Sequence, residues 1–266
     1  MAAPKPTYRL ALISTVFAFA VIMLGAFTRL ADAGLGCPDW PGCYGHLLWP
    51  ETAAEVSAAE ALFPDAPVEH DKTWPEMVHR YLASTLGLLA IVLLIGAWRH
   101  RSVAQPLKLP LLLLGIVILQ GMFGMWTVTL KLWPQVVTAH LLGGFTTAAL
   151  FGLLTLRLRN VNWRGDSVTI NTLRKFKPLV LLCLLVVFLQ VTLGGWTTSN
   201  YAAVACPDFP TCQNEWLPIM DFASGFNAMQ AIGPNYLGGT LDNAARVAIH
   251  FSHRIGAIVT ALVLCG

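Results

Sequence analysis

Six uninterrupted apolar stretches dominate the pattern of polar and apolar positions, over residues 10–30, 77–98, 107–130, 136–156, 179–198 and 247–266. Each is long enough to cross a hydrocarbon core of ~30 Å, which takes about 20 helical residues. None alternates apolar with polar positions, so the pattern predicts transmembrane helices rather than barrel strands. The first stretch is too long for a simple signal peptide and lacks the usual small-residue cleavage site, so it reads as a retained span. Composition agrees. The 266 residues are 56% hydrophobic and 12% charged, against about 25% charged in soluble domains. That excludes a soluble globular domain, and lipid rather than nucleic acid is the expected surrounding.

Charge orients the spans. Lys5, Arg9, Arg99, Arg101, Lys108, Arg157, Arg159, Arg164, Arg174, Lys175 and Lys177 fall on one side, 11 of the 17 Lys and Arg. The positive-inside rule makes that side the cytoplasm. Of the 14 acidic residues only Asp166 shares it. The N-terminus is therefore expected inside. Two cysteine loops, "GLGCPDWPGCYG" from Gly34 and "ACPDFPTC" from Ala205, are expected outside, where oxidising conditions permit disulfides.

The chain also repeats. Placing Cys37 on Cys206 aligns Thr28 with Thr197, Pro38 with Pro207, Asp39 with Asp208, Pro41 with Pro210 and Cys43 with Cys212. "HRYLASTLGLL" from His79 resembles "HRIGAIVTALV" from His253. The offsets are 169 residues for the loops and 174 for the His-Arg spans. Both halves run span, cysteine loop, His-Arg span in the same direction, which is a parallel repeat about an axis along the membrane normal. The expected organisation is an N-terminal four-helix bundle over 1–160 with an external loop over 31–75, a cytoplasmic linker over 161–178, and a C-terminal bundle over 179–266. Four spans in the first half predict four in the second. The sequence carries two of these, so a truncated or naturally short chain is expected, with spans 7 and 8 absent.

Histidines carry the candidate chemistry. His46, His70 and His100 lie in loops and turns and read as solvated. His79, His140, His250 and His253 lie inside apolar spans, where ionisable residues are costly and point to a site. His79, His140 and His253 all sit roughly 5–10 Å below the outer surface at 1.5 Å rise per residue. Two histidines at equal depth on neighbouring helices suit one haem iron, one on each face. Zinc would need three or four ligands, and no Cys/His cluster of zinc spacing is present. Alternatively, the histidines are hydrogen-bonding contacts between helices.

Other residues fit a haem site. Arg29, Arg80 and Arg254 lie near the outer ends of spans, two of them directly after a histidine; they suit haem propionates, or else are interfacial arginines. Glu76, three residues before His79, shares its helix face. It either relays protons or opens span 2, where an acid complements the helix dipole. Cys37 with Cys43, and Cys206 with Cys212, are the natural disulfide pairings, as structural staples or as exposed redox-active pairs. Cys183 and Cys265 read as small apolar residues. "QGMFGMWT" from Gln120 and "QVTLGGWT" from Gln190 share Gln-x3-Gly-x-Trp-Thr, with glycines for close approach and tryptophans at the outer interface.

Together, "GAFTRLADAGLGCPDWPGCYG", "EMVHRYLAS", "VVTAHLLGG" and "IHFSHRIGA" resemble the haem A synthase family over essentially the whole chain. The resemblance implies an all-α integral membrane protein of the bacterial inner membrane, built as two four-helix bundles, with its cysteine loops periplasmic. It implies oxidation of a ring methyl of haem O to a formyl group by successive monooxygenations, through an alcohol and a hydrated aldehyde, with haem b as cofactor. His79 and His140 would flank haem O, Glu76 would be the acid beside them, and His253 would be one iron ligand of haem b, with His250 a weaker candidate. The second haem b ligand of the family belongs to span 8. Implied partners are haem O synthase, an electron donor, cytochrome oxidase assembly factors and a homo-oligomer. Two other readings of paired membrane histidines are a di-haem b-type electron-transfer cytochrome and a non-catalytic haem carrier. The cytochrome does not call for Glu76 beside His79 or for two Cys-x5-Cys loops.

Overall fold

The computed structural model describes residues 5–101, 106–159 and 166–266. Arg164, counted above among the cytoplasmic cations, and linker residues 161–165 lie outside them. Among the described residues the chain is all helix: α1 (Tyr8–Leu30), α2 (Ala53–Leu62), α3 (His70–Arg99), α4 (Lys108–Thr129), α5 (Pro134–Leu158), α6 (Ser167–Lys175), α7 (Lys177–Ser199), α8 (Phe222–Gly225) and α9 (Asn243–Cys265). α1, α3, α4, α5, α7 and α9 are long and apolar enough to span a membrane. They coincide with the six predicted stretches. This is an all-α integral membrane protein.

α3 begins seven residues before the apolar run, because its first two turns, "HDKTWPE", are polar and lie outside any hydropathy signal. Pro75 is tolerated there, near the helix start, where few backbone bonds are lost. α2 is a short helix in the loop between α1 and α3 that hydropathy does not reveal. Its start is fixed by a capping box: Glu55 N–H donates to Thr52 Oγ1 (3.3 Å), and Thr52 N–H donates to Glu55 Oε2 (3.0 Å).

The chain divides into two compact units. The first comprises Met1–Leu132 and Gly143–Asn162, the second Trp133–Leu142 and Trp163–Gly266. In the first, α1, α3 and α4 pack with the inner part of α5 around Ala11, Ala18, Ala90, Leu93, Leu113 and Phe151. The alanines let backbones approach closely, the packing that holds helices together where lipid offers no hydrophobic drive. Thr15 and Thr155 add a hydroxyl pair at 2.9 Å. In the second unit α7 packs on α9, Trp196 Nε1 donates to Gly225 O (2.8 Å) and Thr138 meets Ser199 at 3.2 Å. Leu181, Leu184, Leu185 and Phe188 of α7 are exposed, as apolar residues of a membrane span can be.

The repeat holds at the level of individual atoms. α1 and α7 end alike: Ala33 N–H donates to Thr28 O and Ala202 N–H to Thr197 O, both at 2.9 Å. Asp32 (φ 53°) and Tyr201 (φ 54°) take the left-handed conformation that closes such helix ends. Each cysteine loop then forms a disulfide, Cys37–Cys43 and Cys206–Cys212. Each turns through two left-handed residues, Tyr44 and Gly45 or Gln213 and Asn214. An aspartate caps each turn, Asp39 accepting from Tyr44 N–H (2.6 Å) and Gly45 N–H (2.9 Å), Asp208 from Gln213 N–H (2.6 Å) and Asn214 N–H (3.1 Å). The first loop has its own small core of Cys37, Cys43, Tyr44, Ala59 and Met77. Burial, then the negative charge of Glu69 and Glu60, pushes the Tyr44 phenol up to about 12. Its hydroxyl donates to Pro67 O at 2.9 Å.

Four of the six cysteines are paired, which leaves Cys183 and Cys265 as thiols. Denatured, unreduced protein is therefore expected to take up maleimide at two cysteines and, after reduction, at six. A count above two before reduction would contradict the pairing.

Candidate haem-binding sites

Within the first unit, α3 presents Glu76, His79 and Arg80 on one side of a helix. Glu76 is 4% exposed. Its Oε2 accepts the Cys37 N–H at 2.9 Å and its Oε1 pairs with Arg80 Nη2. Arg80 Nη1 donates into the same loop, to Asp39 O (3.0 Å), Pro41 O (3.3 Å) and Gly42 O (2.6 Å). A carboxylate and a guanidinium together thus clamp the cysteine loop onto α3. Gly36 lies so close to the Lys72 carbonyl that a Cβ there would collide with it, which is why the loop can seat on the helix.

One turn along, the His79 ring lies against Gly25 of α1. A Cβ on Gly25 would fall 2.7 Å from His79 Cε1. His79 Nδ1 is buried and has no hydrogen-bond partner among the described residues.

The second unit builds the same clamp with one change. His250 stands where Glu76 stands, 174 residues on. Cys206 N–H points at His250 Nδ1 (3.3 Å) and Arg254 Nε at His250 Nε2 (3.1 Å). A neutral imidazole has a single lone pair in its ring plane, so it accepts one of these donors at a time. Arg254 Nη1 donates to Thr211 O and Nη2 to Cys206 O, both at 2.8 Å. The His253 ring lies against Gly194 of α7, whose Cβ would fall 3.2 Å from Cε1. Gln190 Nε2 lies 3.0 Å from His253 Nδ1. Gln190 Oε1 is buried without a partner among the described residues. Gln190 Nε2 also donates to His253 O at 3.1 Å, so this one amide nitrogen anchors both the ring and the backbone of His253.

His79 and His253 are therefore imidazoles within membrane spans that are pinned against a glycine, the candidates for holding a haem iron. No group of three or more His, Cys, Asp or Glu comes together among the described residues as a metal site. Arg80 and Arg254 spend their donors on loop carbonyls, while Arg29 lies 3.7 Å from Asp32. His140 is half-buried on α5, in the stretch that belongs to the second unit. Gly25 is not singled out by the sequence, and Gln190 and Gly194 stand out there only through the shared Gln-x3-Gly-x-Trp-Thr pattern. The signal existed, since the 169-residue offset places Gly25 on Gly194 and sets Val21 against Gln190.

Comparison with known proteins follows the same lines. Residues 8–266 match the cytochrome oxidase assembly protein family. The chain is 48% identical over 252 residues to the heme A synthase of Shewanella oneidensis, an alignment covering 95% of this chain and 75% of that protein. It is 29% identical over 266 residues to the heme A synthase of Allorhizobium ampelinum, covering 92% and 68%. With the heme A synthase of Halalkalibacterium halodurans it shares 24% over 247 residues, covering 92% and 69%. The paired cysteine loops, the buried acid before His79 and a match over nearly all its length place this chain in the haem A synthase family of cytochrome oxidase assembly proteins.

Proposed function

We propose that the protein oxidises a ring methyl of haem O to the formyl group of haem A. The observation that carries this reading is a buried carboxylate, Glu76, fixed one turn from an imidazole that is pinned on Gly25. His79 holds the substrate haem O in the N-terminal half, over 1–160, and His140 is a separate candidate iron ligand. His253 would hold haem b in the C-terminal half, over 179–266, which would supply redox chemistry when bound. The cysteine loops face the periplasm and the N-terminus the cytoplasm of a bacterial inner membrane.

The reaction runs as two oxygenations. Each consumes one dioxygen, two electrons and two protons, inserts one oxygen atom into a C–H bond and releases one water. The first gives the alcohol and the second the hydrated aldehyde, which loses water to the formyl group. The electrons come from an external donor. This chain's own residues hold the substrate and manage protons. A carboxylate has about four acceptor sites. Cys37 N–H and Arg80 take two at Glu76, which leaves room to accept a proton from the reacting side. The Arg80 and Arg254 clamps keep each loop seated on the helix that carries its histidine. Arg29 meets a haem propionate, while Arg80 and Arg254 are engaged by loop carbonyls. Haem O synthase supplies the substrate, and oxidase assembly takes the product.

Haem extracted from membranes that express the protein with a haem O synthase tests this reading. Haem A is expected with the wild-type chain, and is expected to vanish in His79→Ala and in His140→Ala. Haem b alone, reduced rapidly by quinol, would identify an electron-transfer cytochrome instead. Gly25→Ala is expected to displace the His79 ring and to slow conversion on the order of 10–100-fold, the cost of misplacing a reacting group by about 1 Å. Unchanged haem A yield in that variant would contradict the proposed place of His79.

A further inference from the structure

The two clamps are superposable in role and differ in charge. In the first unit Glu76⁻ faces Arg80⁺, so the clamp is neutral. In the second, His250 replaces the carboxylate, and Arg254 meets Thr211 O, Cys206 O, the His250 ring and the Phe209 ring at 5.7 Å. All are uncharged when His250 is neutral. Asp208 is the acid of that loop, but Asp39 stands at the same place in the first, so it makes no difference between the halves. Glu215, at the position of His46, is exposed and screened by solvent.

We propose that this exchange sets the electrochemical difference between the halves: the uncompensated Arg254 charge beside His253 biases the haem of the C-terminal half toward its ferrous form. The inference rests on the reading above that His253 holds haem. A net positive charge near a haem stabilises the state with one electron more, and burial strengthens the effect because the effective dielectric is lower than in water. The cofactor haem thereby takes electrons readily from a donor. At Glu76 the balanced clamp leaves the substrate iron without that bias and keeps a carboxylate for protons. His250 is on this account a positioning and charge-setting residue. Its one lone pair is shared between Arg254 and the Cys206 peptide, a role in the clamp rather than on an iron.

The test is a redox titration, followed by haem absorbance, of the full chain loaded with haem b. His250→Gln preserves neutrality and is expected to keep the wild-type midpoint. His250→Glu restores the balance and is expected to lower it, changing the ferrous-to-ferric ratio at fixed potential about tenfold, or ~59 mV for one electron. Arg254→Gln removes the cation instead of adding an anion and carries the same expected direction, which covers a His250→Glu chain that fails to accumulate. An unchanged midpoint in whichever of these variants loads haem overturns the proposal. If His253→Ala keeps the wild-type haem spectrum, the reading of His253 fails and the proposal falls with it, an outcome distinct from an unchanged midpoint.

Discussion

The hydrogen bond from the Cys37 peptide to the Glu76 carboxylate is the contact on which the site depends. It joins an external loop to a transmembrane helix at the turn before His79. Arg80, four residues on, ties the same carboxylate to three more loop carbonyls. Removing one member strands the other: a buried guanidinium or carboxylate left without its partner costs about 3–5 kcal/mol. Loop, clamp and ring position are therefore one unit. The disulfide and the aspartate-capped turn make the loop stiff enough to act as part of it.

The two halves share one scaffold and differ at single positions. Val21 is matched by Gln190 in the other half, where it holds the Nδ1 side of His253. Glu76 is matched by His250, which keeps a contact to the loop peptide without the carboxylate. The glycine against the ring is the same in both, because either histidine needs that slot. Scaffold positions are thus shared, and the positions that set charge and proton exchange are the ones that differ.

Much of this was legible in the sequence, for physical reasons. Continuous apolar runs fix spans because lipid forbids unsatisfied backbone, so all six helices stand where hydropathy puts them. The repeat was legible because loop residues with special geometry, Asp39 and the prolines, tolerate little change. The polar first turns of α3 were not legible, since helix there is decided by packing of the loop rather than by hydropathy. α2 was missed although Thr52 and Glu55 spell its cap. The arginines followed their histidines in sequence and suggested propionates. Their engagement with loop carbonyls spans 38 to 48 residues, and no local pattern reveals a contact of that separation. The equivalence of Glu76 and His250 was present in the 174-residue offset, but only their common loop contact gives it meaning.

The central claim is that a carboxylate, and not merely a hydrogen-bond acceptor, is required at position 76. Glu76→Gln keeps the shape and one acceptor oxygen for the Cys37 peptide while removing the charge. Haems extracted with the purified variant, from cells that make haem O, decide the matter. The account predicts that the protein accumulates with haem O bound and that haem A is absent. Haem A at the wild-type level in Glu76→Gln would contradict it.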